Sequence, residues 1–352
     1  MTAPMAPGPP GRRAAGTALR ALIGVVVVLA LGEAVVRRWI ESPSTALGDP
    51  RYGFVQPPHT RIVHSSEGWS ETRTNALGLF DDELQSHPGH RALLLGDSYA
   101  EALQVPRAAS FQRVAERDAP GWEVVNAGMS GRSPVQYADW LDEWDKRLHP
   151  EIVLVQINDG DLDDLTLALR HPGASGMIEA LGSGDEHGVR RLAHDVLRGS
   201  ALATLVWRRV SLLSGYERER LAQRFTHVAA TSAAIERHPP LDPRLAPMLD
   251  ALYRRMAAHG HRVVFVYVPR IDYFAEPCAP VYAERRAFYH AFAERNHVEL
   301  IDPTEAFCAE FRRTGQPVHG FANSVMGSGH INRRGHRLVG EAIAAALRES
   351  AP

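Results

Sequence analysis

Short uninterrupted apolar runs punctuate the chain, each ending in a small or polar residue. ALLLGD (92–97), WEVVNAG (122–128), EIVLVQIND (151–159) and HRVVFVYVP (261–269) are four of them, and HVELID (297–302) is a weaker fifth. A run that is apolar at nearly every position belongs to a strand covered on both faces. Between the runs the period changes to that of a helix. Tyr137, Trp140, Leu141, Trp144 and Leu148 form one stripe over 134–148. Segments 245–259, 281–296 and 335–349 are also helical in composition, and the first of them stops at Gly260. Strands alternating with helices predict an α/β domain: a three-layer α/β/α, doubly wound parallel sheet of about five strands. Residues 161–244 break the alternation. They are expected to form a helical insertion, either a lid over the active edge of the sheet or a peripheral packing element.

The start of the chain has another pattern. Residues 1–18 are rich in Pro, Ala and Gly. Residues 19–40, LRALIGVVVVLALGEAVVRRWI, approach the ~20 apolar residues of a spanning helix. Apolar character continues past Gly32 to Trp39. That favours an uncleaved signal anchor over a cleaved signal peptide with Ala30 and Gly32 before the cut, and over a buried core helix. The expected organisation is a cytoplasmic tail (1–18), a transmembrane anchor (19–40), a polar linker (41–70) and an extracytoplasmic domain (71–352) carrying the insertion.

Composition changes this picture little. A length of 352 residues suits one large domain or two modest ones. A formal net charge of -2 gives no field for nucleic acid, and none is expected as a partner. Cys278 and Cys308 lack the neighbours of a zinc site; they are two thiols in a reducing compartment or one disulfide in an exported protein. DGDLDD (159–164) fails as a calcium loop, with Asp164 where Gly is needed and Arg170 at the last ligand position. Neither a phosphate loop nor a GxGxxG fingerprint occurs, so no cofactor or metal is expected.

In a doubly wound sheet, ligands bind beyond the carboxyl ends of the strands. Asp97, Ser98, Asn126, Gly128, Asn158, Asp159 and Asp302 all fall there. Ser98 after a strand and before a helix is either a helix cap or a nucleophile. A nucleophile needs a general base and donors for an oxyanion. His330, in GHINRRGH (329–336), can be the base. His336 and His319 are less suitable, the first being on the final helix and the second in a loop.

The order GDS (96–98), N-A-x-x-x-G (126–131), Asn-Asp after a strand (158–159) and H-x-N-x-x-G (330–335) resembles the SGNH (GDSL-type) hydrolases. The resemblance covers about 92–345, apart from the insertion. TNALGL (74–79) and the N-terminal anchor further resemble membrane-anchored bacterial members, which often act on acyl groups of cell-surface polysaccharides. The resemblance implies a flavodoxin-like sheet, Ser98 as nucleophile and His330 as base. Gly131, with Gly128 as the near alternative, and Asn158 would be the oxyanion donors.

Two departures stand out. The family usually carries an Asp three residues before its His, where this chain has Gly327. Asp302, at the end of the fifth strand, is the expected substitute. The third block reads Q-I-N-D instead of Gly-x-Asn-Asp, and a shifted register would put Gly160 and Asp161 in place of Asn-Asp. The expected activity is hydrolysis of an acyl ester, an acetyl ester first among them, through a Ser98 acyl-enzyme. Transfer of the acyl group to a sugar hydroxyl would use the same intermediate. A non-catalytic glycan-binding or assembly protein of the same fold is the reading that the missing acid suggests.

Overall fold

The computed structural model describes residues 10–43, 45–49, 52–86, 88–170, 196, 199–210 and 240–350. Four short strands come first: β1 (Leu47–Asp49), β2 (Gly53–Val55), β3 (Arg61–His64) and β4 (Ser70–Arg73). They pair as two antiparallel hairpins. The apolar runs then appear as β5 (His90–Leu95), β6 (Trp122–Asn126), β7 (Ile152–Asn158), β8 (Arg262–Val268) and β11 (Glu299–Ile301). These five form one parallel sheet in the order β11-β8-β7-β5-β6. The minor strands β9 (Ile271–Asp272) and β10 (Ala279–Pro280) pair with each other beside it.

The helices are α1 (Pro10–Val35), α2 (Ser98–Glu101), α3 (Phe111–Asp118), α4 (Pro134–Leu148), α5 (Asp161–Arg170), α6 (201–210), α7 (Leu245–Ala257), α8 (Ala283–Asn296), α9 (Thr304–Thr314) and α10 (Arg333–Ser350). Alternate strand residues point to opposite faces. Leu93, Leu95, Val153, Val155, Phe265 and Tyr267 pack against α4, α7 and α8. Ala92, Leu94, Ile152, Leu154, Val264 and Val266 pack against α3, α9 and α10. Both faces are therefore covered, which is why the strand sequences show no polar alternation. Of the expected insertion at 161–244, residues 161–170, 196, 199–210 and 240–244 belong to the described structure; the remainder lies outside it.

Gly16–Ile40 is a helical stretch of 25 residues that contains an 18-residue window with a mean hydropathy of 2.3. At 1.5 Å per residue it extends about 37 Å, enough to cross a bilayer. A signal sequence near an N-terminus has the same character. Leu22, Val25, Val28 and Leu31 are all more than half exposed, so this helix does not bury its apolar surface against the domain.

Residues 41–70 differ from the expected linker. They carry three strands, and Glu41, Ser42, His64, Ser65 and Ser66 are buried. The polar composition that suggests a linker is satisfied by hydrogen bonds to distant parts of the chain, which local sequence does not reveal.

Cys278 and Cys308 form a disulfide across 30 residues, tying the segment ahead of β10 to α9. Closing a loop of that length restricts the unfolded chain by roughly 3–4 kcal/mol. Reduction under non-denaturing conditions is expected to lower the unfolding midpoint by several degrees. A midpoint indifferent to reductant would show that the bond adds no stability.

Candidate active site

Asp97, not Ser98, caps the helix that follows β5. Its Oδ1 accepts the Tyr99 N–H at 2.9 Å. Ser98 is the first residue of α2, so its hydroxyl is available for other contacts. The Oγ lies 2.8 Å from His330 Nε2. The other ring nitrogen, Nδ1, lies 2.6 Å from Glu67 Oε2. Glu67 Oε1 also accepts the backbone N–H of His330 at 3.0 Å. An ionised carboxylate can only accept hydrogen bonds. Nδ1 then carries the proton and Nε2 is left to accept from the Ser98 hydroxyl.

The carboxylate that meets His330 is therefore Glu67, in the turn between β3 and β4, and not Asp302. Asp302 accepts from Arg286 Nε at 2.5 Å, His290 Nε2 at 2.7 Å and the Thr304 N–H at 3.0 Å. Strand order explains the difference. Asp302 follows β11, three strand spacings from β5, or about 14 Å across the sheet. The family's usual acid position does not serve either. Gly327 has φ +87°, and a Cβ there would face Phe274, Pro317 and Tyr273. Gly329, at φ +79°, would place a Cβ 2.2 Å from Glu67 Oε1. The Glu67–His330 contact requires glycine at that position.

The sequence blocks hold this arrangement together. Asn332 donates to the Pro317 and Gly320 carbonyls at 3.0 and 3.2 Å, fixing the loop that carries His330. Asn126 donates to the Ala100 carbonyl and accepts the Gly128 N–H, joining α2 to the loop after β6. The Gly128 amide is thus engaged. Among the described residues, the N–H groups of Ser98 and Gly131 have no acceptor. Asn158 Nδ2 donates one hydrogen to Asp97 Oδ2 at 2.7 Å and retains a second. The direct register of the Q-I-N-D block thus leaves one N–H of Asn158 Nδ2 uncommitted next to Asp97. Asp161, from the shifted register, accepts the Asn158 backbone N–H at 2.7 Å and is buried. Burial pushes Asp97 and Asp161 upward from the ordinary carboxylate range, and for Asp161 repulsion by Asp97 adds to it.

His319 and His336 do not reach Ser98. Tyr273 Oη meets His319 Nδ1 at 2.5 Å, and the Phe111 N–H donates to His336 Nδ1 at 3.2 Å. Burial pushes both imidazoles down to about 3. Among the described residues, Asp145, His259 and His261 have the donor types of a metal site. They lie near the amino ends of the inner strands, at the opposite end from Ser98, and both nitrogens of His259 are taken by Asp145 and Asp142 at 2.9 Å. That cluster is closed as an ion-pair network.

The loop after β6 is anchored by Glu101, whose carboxylate accepts from both the amide and the hydroxyl of Ser130. Burial pushes Glu101 up to about 7. A carboxyl raised on folding binds its proton more tightly in the native state. Stability therefore falls as pH rises from about 4.5 through 7, and the full penalty applies above that. Glu101→Gln keeps an acceptor for Ser130 and removes the penalty. The variant is expected to match the wild type near pH 4 and to be more stable by roughly 3 kcal/mol at pH 8. Thermal unfolding across that range checks this; equal curves at pH 8 would contradict it.

Comparison with known proteins gives fold likenesses only. The chain resembles G-D-S-L lipolytic proteins. It is similar to a member of that family from Veillonella parvula DSM 2008, at 13% identity over 74% of this chain and 100% of that one, with a TM-score of 0.40. A lipase/acylhydrolase from Enterococcus faecalis is similar at 13% identity over 74% and 96% of the two chains, with a TM-score of 0.40. A catalytic mutant of an acetylxylan esterase from Geobacillus stearothermophilus is similar at 14% identity over 75% and 96%, with a TM-score of 0.39. No family model and no curated protein matches the chain. At such TM-scores these likenesses add nothing to the reading of the site, which rests on its own residues.

Of the expected site residues, Ser98 and His330 are in contact, Asn158 stands against Asp97 beside Ser98, and Gly131 keeps a bare amide in the next loop. Glu67 carries no motif. It sits in SSEGWS, a polar stretch without periodicity, and meets a histidine 263 residues away.

Proposed function

We propose that this protein is an SGNH-type serine hydrolase of acyl esters, anchored to a membrane by its N-terminal helix. The observation that carries the reading is the continuous chain from Ser98 Oγ through both nitrogens of His330 to Glu67. A serine hydroxyl is a poor nucleophile until a base accepts its proton. His330 Nε2 takes that proton as Oγ attacks the acyl carbon. Glu67 holds the ring in orientation and stabilises the imidazolium. The amides of Ser98 and Gly131 and the second hydrogen of Asn158 Nδ2 are the donors for the oxyanion. Collapse of the tetrahedral intermediate expels the alcohol, which receives the proton from His330. Water then attacks the acyl-enzyme by the same route and releases the acid.

The ester we propose is an acetyl group on a cell-surface polysaccharide, in keeping with the family resemblance and with a domain held at a membrane. The disulfide suits an oxidising, extracytoplasmic compartment.

A fluorophosphonate probe tests the core of this reading without knowledge of the substrate. The intact protein is expected to give an adduct on Ser98, located by mass spectrometry, that His330→Ala abolishes. A folded wild-type protein that takes no label would overturn the reading. Acetate release from acetylated xylan then tests the substrate class. For the oxyanion assignment, Asn158→Ala is expected to lower kcat for p-nitrophenyl acetate by about 10²- to 10³-fold with little change in KM. An unchanged kcat would remove Asn158 from the oxyanion site.

A further inference from the structure

The turn that carries Glu67 does not hold itself in place. Its polar groups are bound by residues that contact neither Ser98 nor His330. The Ser65 N–H donates to Glu41 Oε2 at 3.0 Å. The Ser65 carbonyl accepts from Arg209 Nη2 at 2.8 Å and from Asn323 Nδ2 at 2.9 Å. Ser66 Oγ meets His64 Nε2 at 3.0 Å. Gly68 donates its N–H to Asn323 Oδ1 at 2.8 Å, and its carbonyl accepts from Asn323 Nδ2 at 2.7 Å.

These clamps lead back to the N-terminal helix. Glu41, the first residue after that helical stretch, is 1% exposed. Its Oε1 accepts from Arg208 Nη1 at 2.6 Å. The same Arg208 nitrogen meets His64 Nδ1 at 3.1 Å. A guanidinium can only donate, so His64 holds its proton on Nε2 and gives it to Ser66. Arg208 and Arg209 lie on α6. The amino end of α6 is in turn capped by Glu33 of α1, which accepts the Ala201 and Leu202 N–H groups at 2.9 Å each and the Ser200 hydroxyl at 2.8 Å.

A buried ion pair adds little net stability, because desolvating two charges offsets their attraction. What the Glu41–Arg208 pair supplies is a fixed geometry at Ser65, two residues from the acid. We infer that Glu41, Arg208 and Arg209 are positioning residues for Glu67, so that the third member of the triad is set by the segment leaving the N-terminal helix. The inference rests on the functional reading above. It also predicts that a domain cut to begin at Thr45, which lacks Glu41, loses activity even though it keeps Glu67, Ser98 and His330.

The test uses the full chain in detergent micelles and measures the rate of Ser98 labelling by a fluorophosphonate as a function of probe concentration. Wild type, Glu41→Gln, Glu67→Gln and the double variant form one cycle, with thermal unfolding measured for each. Small displacements of a catalytic group can cost on the order of 10²-fold in rate. Glu41→Gln is expected to lower the maximal labelling rate by about 10- to 100-fold while half-saturation stays within twofold. The double variant is expected to be no slower than Glu67→Gln alone, since a residue acting through Glu67 has nothing left to act on. Losses that multiply, or a Glu41→Gln rate equal to wild type, would overturn the positioning role and leave the functional reading intact. Should Glu41→Gln fail to fold, Arg209→Lys decides the matter. It keeps the charge but not the fork that joins the Ser65 and Asn323 carbonyls, and it is expected to show the same loss of rate and the same non-additivity with Glu67→Gln. A wild-type protein that takes no label at all would be the failure of the functional reading itself.

Discussion

Glu67→Gln is expected to fold normally and to lose about 10³- to 10⁴-fold in kcat. The reason lies in the two contacts that Glu67 makes. One carboxylate oxygen accepts the His330 backbone N–H and the other accepts Nδ1–H. A glutamine that keeps its oxygen on the backbone N–H must turn its amide NH₂ toward Nδ1. The ring then answers with its other tautomer, Nδ1 accepting and Nε2 carrying the proton. Nε2–H faces Ser98 as a donor and cannot take the hydroxyl proton. The serine-protease triad shows a loss of the same order for the equivalent change. Glu67→Asp keeps the charge but shortens the reach, and a partial recovery relative to Glu67→Gln is expected. Steady-state hydrolysis of p-nitrophenyl acetate, with thermal unfolding as the control for folding, decides the matter. Near-wild-type kcat in a folded Glu67→Gln protein would mean that His330 needs no carboxylate partner.

The larger loss is expected at the nucleophile and its base. Ser98→Ala and His330→Ala should each lower kcat by on the order of 10⁴- to 10⁶-fold, and the double variant should be no worse than the more damaging single one. Residues that act as a unit lose their effect together, because neither does chemistry without the other. The Oγ–Nε2 distance of 2.8 Å is the structural basis of that expectation. Losses that multiply in the double variant would mean that the two side chains act independently. The remaining rate should stay above that of the uncatalysed reaction, since the amides of Ser98 and Gly131 and the Asn158 side chain survive both substitutions.

Much of this arrangement is legible in the sequence. The five strands stand out because both sheet faces are covered, which leaves apolar residues at consecutive positions in ALLL and IVLV. Asn158 ends a strand, Ser98 opens a helix and His330 lies just ahead of the last helix, and each is legible because it sits in a recognisable block. Gly131 is legible by its block, and the structure separates it from Gly128 by one hydrogen bond, the Asn126 contact that occupies the Gly128 amide. The acid is not legible. Asp302 sits at a strand end like the others, but its distance from Ser98 depends on the order of strands in the sheet, which the chain does not announce. Glu67 lies in a stretch whose Ser and Gly residues look like linker. The placement of its turn depends on Glu41, Arg209 and Asn323, which bind Ser65, are far from it in sequence and follow no shared period. The missing carboxylate before His330 suggests a protein that has lost catalysis; the contact with Glu67 removes that motive.

The two glycines ahead of His330 also constrain how such a site can change over generations. A Cβ at 329 collides with Glu67, and one at 327 faces an aromatic cluster instead of the imidazole. A single replacement of Gly327 by Asp therefore cannot return the acid to the position usual in the family, because the loop points it the wrong way. Moving the acid to the position ahead of His330 would need the loop to turn as well as the residue to change, which is more than one substitution supplies in this fold.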